Sequence, residues 1–539
     1  MCILFVDLPL SMGILKNNEY KTIVWGAKNN FITGLDPLGL QITSEATYAA
    51  LLPGVTNLTN RIRYYGFYCW LLDFYAENIR DTNQQTQNNF IRKAELLMAI
   101  LVKTQNPNFT QVTGSQFAVN LIEGKTETAY NLTEGAVKEE DKTTYWKFSS
   151  GAFGQYYAGA MHEIGLTLRN DEGNFICSNK NHHDLITGSD LAKAFEKQLN
   201  KEAKETFIAS VNEGELKEED IAILHSNFGV DMIDVTSEEY ALYLEILSQI
   251  DHPFEDIMEE SQISYHRKNT IAYLLQQASE EKSFTNWGDL INNNYNNVDI
   301  ENESNITLSL WYFFKLNELW LFGAGSCLWA CLMEMELKST PTHIQSFISQ
   351  MVNKSETYLK DNFNISVDES FQLEITKLNI DDTKETEIIR QNVKTKDVDE
   401  VLGKGIAMIG SIYNHNKKHI DKLKDLSQSI SANRDGNVLE FFAVMDLFQG
   451  TFKEFLQLLL QRHIIYRHQF VAIRKTGNGT QSSLKFLLEE NYVRGLDIFA
   501  PFYSSPRLDA LIHMIQDLSL IDNNKAITSK GINYLKEIK

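Results

Sequence analysis

A chain of 539 residues, 43 % hydrophobic and 22 % charged, is too long for one ordinary core and too apolar to be disordered. With only 8 Pro and 29 Gly, it favours long helices over turn-rich β-structure. A net charge of −21 excludes bulk attraction to nucleic acid or anionic membrane, and five scattered cysteines read as reduced thiols of a cytoplasmic protein.

Residues 1–11 are apolar but hold Asp7 and Pro9 and lack a basic stretch, so they do not read as a signal peptide, and Met12 is the expected start. Residues 12–130 are expected to form an N-terminal helical domain. In it, Gly34 to Gly39 carries turn chemistry. Helices are expected over Ser44–Leu52, from Thr56 or Asn57 to Ile79, and over Phe90–Lys103, with Asp81–Asn89 as a polar link. The second helix carries Tyr64, Tyr65, Phe67, Tyr68 and Trp70, a density that suits a packed helix–helix seam. Arg61 and Arg63 stand at its N-terminal end, where the helix dipole favours an anion.

Residues 131–200 hold a helix from Gly151 to Ile164, two short extended pieces joined through Asp171-Glu172-Gly173, and a helix opening at Gly188-Ser189-Asp190. Residues 201–291 form an acidic helical segment; within 201–260 there are 17 acidic residues against 3 lysines, net −14. That surface is either a solvated face, a dock for a basic partner, or a partner for basic residues of the same chain. Asn292–Asn305 is nearly devoid of apolar residues and reads as a linker.

A central helical domain, 306–430, begins with the apolar tract Ile306–Leu337. Its apolar stretch from Leu319 to Met333 falls short of the roughly 20 residues that span a bilayer, so a buried helix is expected and no membrane association. Gly323-Ala324-Gly325-Ser326 would let a neighbouring helix approach closely. Phe371 to Ile375 alternates like a strand.

The last segment, 431–539, turns basic. From Thr451 on it holds 12 Lys and Arg against 8 Asp and Glu, net +4. A helix from Phe452 to Lys475 is expected to bury Phe452, Phe455, Leu456, Leu459, Tyr466 and Phe470. It carries Arg462, His463, Arg467, His468, Arg474 and Lys475, which could hold phosphate or nucleic acid, or pair with the acidic segment. The chain has no GxxxxGK[ST], no GxGxxG after a strand, no HExxH and no CxxC. His415 and His419 are one turn apart without further ligands. No catalytic residue, metal or cofactor is therefore assigned.

Arg507 to Leu518 is amphipathic. Leu520-Ile521, Asp522-Asn523-Asn524, Ala526-Ile527-Thr528 and a helix from Gly531 to Ile538 follow it. This order over about 500–538 resembles the end of winged-helix domains, with 150–199 as a weaker copy. The resemblance implies an exposed helix face of Ser505, Arg507, Asp509 and His513, with Arg507 as a nucleic-acid contact. The expected protein is mostly α, multi-domain and helical, with winged-helix-like modules and small β-hairpins. Its expected role is a non-catalytic subunit of a bacterial multi-protein system, such as anti-phage defence, binding a protein partner or nucleic acid. The alternatives are a scaffold without nucleic-acid binding, and a metal-independent enzyme built on His463, Arg467 and His468.

Overall fold

The computed structural model describes residues 30–31, 36–124, 128–136, 145–180, 185–254, 263–280, 286–338, 340–432, 435–475, 481–504 and 506–539. The expected start at Met12 lies outside them. The protein is mostly helical, and its strands form sheets of only two or three members. Two compact units emerge, each assembled from three separate stretches of chain.

One unit comprises 43–315, 421–433 and 504–539. Its centre is the helix Arg63–Phe74, in which Tyr64, Tyr65, Phe67, Tyr68 and Trp70 are all buried. This is the aromatic seam the composition implies. The rings of Phe67 and Trp70 meet Phe195 of the helix Gly188–Glu196 and Phe207 of the helix Lys201–Glu213, at centroid distances of 5.5 to 6.4 Å. The polar link expected at Asp81–Asn89 is shorter than it reads. Asn83 accepts hydrogen bonds from the amides of Gln85 and Thr86 and starts the helix Gln84–Gln105 there.

The hairpin Thr167–Arg169 with Phe175–Cys177 is antiparallel, and Thr187 and Asp190 form a capping box for the helix behind it. At the chain's end, Leu508–Asp517 leads through a single bridge, Ile521 to Ile527, into Ser529–Ile538. The linker expected at Asn292–Asn305 is corrected: its first half belongs to the helix Trp287–Asn297. A capping box of Asn286 and Asp289 starts that helix, and burial of Asn294 and Tyr295 holds it.

The other unit comprises 1–42, 316–420 and 434–503. The long helix Ile306–Leu337 is the one described helix with the length and apolarity to cross a membrane, and 94 % of its most apolar window is buried within the protein. From Leu316 onward it belongs to this unit, where it crosses Val398–Asn416 at Gly323 and Gly405. A Cβ on Gly405 would lie 3.0 Å from the Gly323 carbonyl oxygen, so the small patch does allow a close helix approach.

The strand expected at Phe371–Ile375 is instead a short helix, Phe371–Glu374, continued by a 3₁₀ turn. Lys377 folds back one turn to Glu374 at 2.7 Å, a helical pairing that a strand could not make. An unexpected three-stranded sheet runs in the order Thr342–His343, Tyr492–Gly495, Phe486–Glu489. Its hairpin turns on Glu490 and Asn491, both with positive φ, as a two-residue type I′ connection requires.

Candidate binding face on the helix Phe452 to Lys475

This helix has three parts: α over Phe452–Leu458, π over Leu459–Tyr466, and α again over Arg467–Lys475. Thr451 and Glu454 form a capping box at its start. A π turn takes up about one residue more than an α turn, so every side chain beyond it is displaced around the axis. The buried stripe therefore runs Phe452, Phe455, Leu456, Leu459, Leu460 and then Ile464, Ile465, His468, Val471 and Ala472. The expectation that Tyr466 and Phe470 continue the core is corrected. They lie on the outer face with Ile473, and the three are 38 %, 59 % and 62 % exposed.

The basic residues divide into two groups. Arg467, His468 and Lys475 clasp the carbonyls of the turn Asp36 to Gly39. Arg467 donates from Nε to Leu38 O at 2.6 Å and from a terminal nitrogen to Gly39 O at 3.2 Å. Lys475 donates to Asp36 O at 2.6 Å. His468 Nδ1 lies 2.9 Å from Pro37 O, and its Nε2 accepts the Lys485 amide at 2.9 Å. Since a carbonyl can only accept and an amide can only donate, this imidazole is the neutral Nδ1-protonated tautomer. Burial drives its pKa down to about 4. Arg467 also faces Asp435 at 3.3 Å. The pairing expected with the acidic segment is corrected: Arg467, His468 and Lys475 are taken by the carbonyls of this turn and by Asp435.

His463 is held against the edge of Phe441, with ring centroids 4.8 Å apart. Burial, with Arg462 and Arg467 adding to it, lowers its pKa to about 4, so it is neutral at physiological pH. Arg462, Arg474 and Lys475 are the exposed members of the set, and Arg474 lies 5.7 Å from the centroid of Phe470. Beside Arg462 runs a groove of about 640 Å³ lined by Phe448, Gly450, Glu454, Leu458, Arg462 and Tyr466. Leu447, 80 % exposed, precedes its rim.

No protein-family model matches the chain, and no curated protein or solved structure is similar to it.

The remaining three candidate residues lie in the other unit. Arg63 is 2 % exposed; it pairs with Glu239 at 3.1 Å and donates to the carbonyls of Asn227 and Gly229. Arg61 pairs with Asp517 at 2.6 Å, donates to Thr110 O and stacks over Phe109. Arg507 donates to Val55 O at 2.8 Å and lies over Tyr48. Within the helix Leu508–Asp517, His513 meets Gln111, while Ser505 lies outside the described residues. A few carboxylates of the acidic stretch find partners in place. Besides Glu239, Asp231 bonds His225, Lys197 pairs with Glu238, and Asp251 caps the helix His266–Ser279 through the amides of His266 and Arg267.

Among the described residues no group of three or more His, Cys, Asp or Glu is placed to hold a metal ion. The outer face presents two aromatic rings, aliphatic groups and two guanidinium groups, of which Tyr466 and Arg462 line the groove. Sequence reasoning found the helix and its charges but missed Ile473 and Leu447. The adjacent pair Ile464-Ile465 was the available signal, because two neighbouring buried positions are hard to fit into an α stripe that also buries Tyr466 and Phe470.

Proposed function

We propose that the chain is a non-catalytic binding subunit that docks a protein partner on the outer face of Leu459–Lys475. The observation that carries this reading is the exposed stripe Tyr466, Phe470, Ile473, spaced at four and three residues and flanked by Arg462 and Arg474. Exposed aromatic and aliphatic anchors with arginine at their rim are the composition of protein-interaction hot spots. The matching partner segment is an amphipathic helix with acidic residues beside its apolar face. A protein is favoured over nucleic acid because the chain carries −21, and because Arg467, His468 and Lys475 are occupied by the Asp36–Gly39 turn. Membership of a bacterial multi-protein system, including anti-phage defence, fits such a role and stands as part of the proposal.

The test is affinity recovery of the full chain from its source cells, with and without nuclease, comparing wild type with Phe470→Glu. A defined protein complex that survives nuclease and disappears in the variant is the expected result. Recovery of nucleic acid alone, or a complex indifferent to Phe470→Glu, contradicts it.

A further inference from the structure

The last turn of the helix Val398–Asn416 grips two stretches of chain at once. On one side the Tyr413 hydroxyl donates to Asp446 at 2.5 Å, two residues before Phe448 of the groove beside Arg462. On the other, three side chains hold the segment from Ile375 to Asp382. Asn414 donates to the carbonyls of Ile375 and Leu378 at 2.7 and 2.8 Å. Ser411 accepts the Ile380 amide at 3.1 Å and donates to the Ile380 carbonyl at 3.3 Å. His415 Nδ1 lies 2.8 Å from Asp382, the first residue of the helix Asp382–Thr395, and its Nε2 lies 2.8 Å from the Asn379 carboxamide oxygen.

The held segment continues into the groove wall. Ile375 follows the short helix Phe371–Glu374, whose Gln372 donates to the carbonyls of Met445 and Phe448 at 2.7 and 3.0 Å. The Phe371 amide donates to Gly450 O at 3.0 Å, and the Phe371 ring stacks on Phe455 at 4.1 Å. Phe448 and Gly450 both line the groove.

His415 is the member of this grip that titrates near neutral pH. With a carboxylate oxygen on one ring nitrogen and a carboxamide oxygen on the other, both nitrogens must donate, which only the imidazolium can do. The hydrogen bond to Asp382 raises its pKa above the ordinary 6.5, against the opposing effect of burial. The Asp382 side chain is 2 % exposed and the imidazole 40 %, so the ring exchanges protons with solvent while its counter-charge stays buried. The other charged groups on the surrounding elements are engaged elsewhere. Lys377 pairs with Glu374, Lys384 with Asp381 and Lys404 with Glu385, each at 2.7 to 2.8 Å. Lys417 lies over the Tyr413 ring, Lys418 is exposed and His419 is buried.

We infer that His415 is a proton-operated latch, which fixes the groove wall when charged and loosens it when neutral. Its bearing on partner binding rests on the docking role proposed above. The neutral ring keeps one donor for Asp382, but its other nitrogen then sets a lone pair against the Asn379 oxygen. Because the folded pKa is raised, the latch is complete below about pH 6.5 and is lost as pH rises through the folded value.

The test follows hydrogen–deuterium exchange of the full chain alone from about pH 6 to about pH 9, corrected for the intrinsic rate, a range that brackets histidine titration. Residues 375–382 and 445–450 are expected to lose protection together as pH rises, while Arg63–Phe74 keeps its own. In His415→Gln both stretches are expected to stay flat, at the level the wild type reaches at the alkaline end. Asp382→Asn, a second variant should His415→Gln fold poorly, is expected to move the loss to lower pH. Flat protection of 375–382 in the wild type, a loss that persists in His415→Gln, or a loss at 375–382 without one at 445–450 overturns the proposal. These readouts need no partner, so their failure is distinct from a complex indifferent to Phe470→Glu.

Discussion

Arg63 shows how a residue positioned for an anion becomes a structural strut. Its guanidinium reaches Glu239 and the carbonyls of Asn227 and Gly229, and Tyr243 closes the group by donating to Glu239 at 2.8 Å. With the charge and four of the five N–H donors matched, the pair is stable in place. Removing one partner strands the other in the interior. Arg63→Ala is expected to lower unfolding free energy by about 3–5 kcal/mol in denaturant melts. A loss below about 1 kcal/mol would show that the pair is not buried in solution. His468 makes the corresponding point about titration. Its folded pKa, about 4, lies below the ordinary value of 6.5, because burial disfavours the charged imidazolium and the Lys485 and Lys475 cations oppose it further. The stability it contributes is therefore complete above about pH 6.5 and is lost as pH falls through about 4. Hydrogen exchange at the Lys485 amide, corrected for the intrinsic rate, should show protection falling across that window. Protection that is flat from neutral pH to pH 4 would contradict the neutral tautomer.

At the scale of elements, helices were the legible part of the sequence, and register was the illegible part. The aromatic seam of Arg63–Phe74, the helix start at Gly188, the hairpin at 167–177 and the Gly323 patch follow from periodicity, turn residues and side-chain size. Phe371–Ile375 misled because a run of five residues fits both a strand and one turn of helix, and the Glu374–Lys377 pair decides for the helix. Asn292–Asn297 misled because asparagines suggest loops, while Asn294 and Tyr295 are in fact buried helical positions. The π segment Leu459–Tyr466 could not be read from an α-helical wheel, and it decides which residues of the basic helix face outward. Helix crossing offers a test at this scale. Gly405→Ala would press a methyl group to 3.0 Å from both the Gly323 carbonyl oxygen and Ser326 Cβ. A loss of about 1–3 kcal/mol in unfolding free energy is expected; an unchanged melt would mean the helices stand further apart than described.

For the molecule as a whole, composition carried the fold class, and charge carried less of the function than its distribution suggests. The net +4 of the last stretch is real, yet Arg467 and Lys475 spend themselves on backbone carbonyls, and His463 and His468 are neutral. Those partners are turn residues some 430 positions earlier in the chain, at Asp36 to Gly39, which no local pattern couples to a distant helix. The same holds for the two units, each drawn from three separated stretches where a linear reading delimits contiguous segments. What remains outward on the basic helix is an apolar stripe with an arginine near each end, and the proposed role rests on it. Hydrogen–deuterium exchange of the full chain, alone and in the complex recovered from its source cells, tests that role most directly. The account predicts new protection concentrated in residues 459–475. Protection elsewhere with this helix unchanged would contradict it.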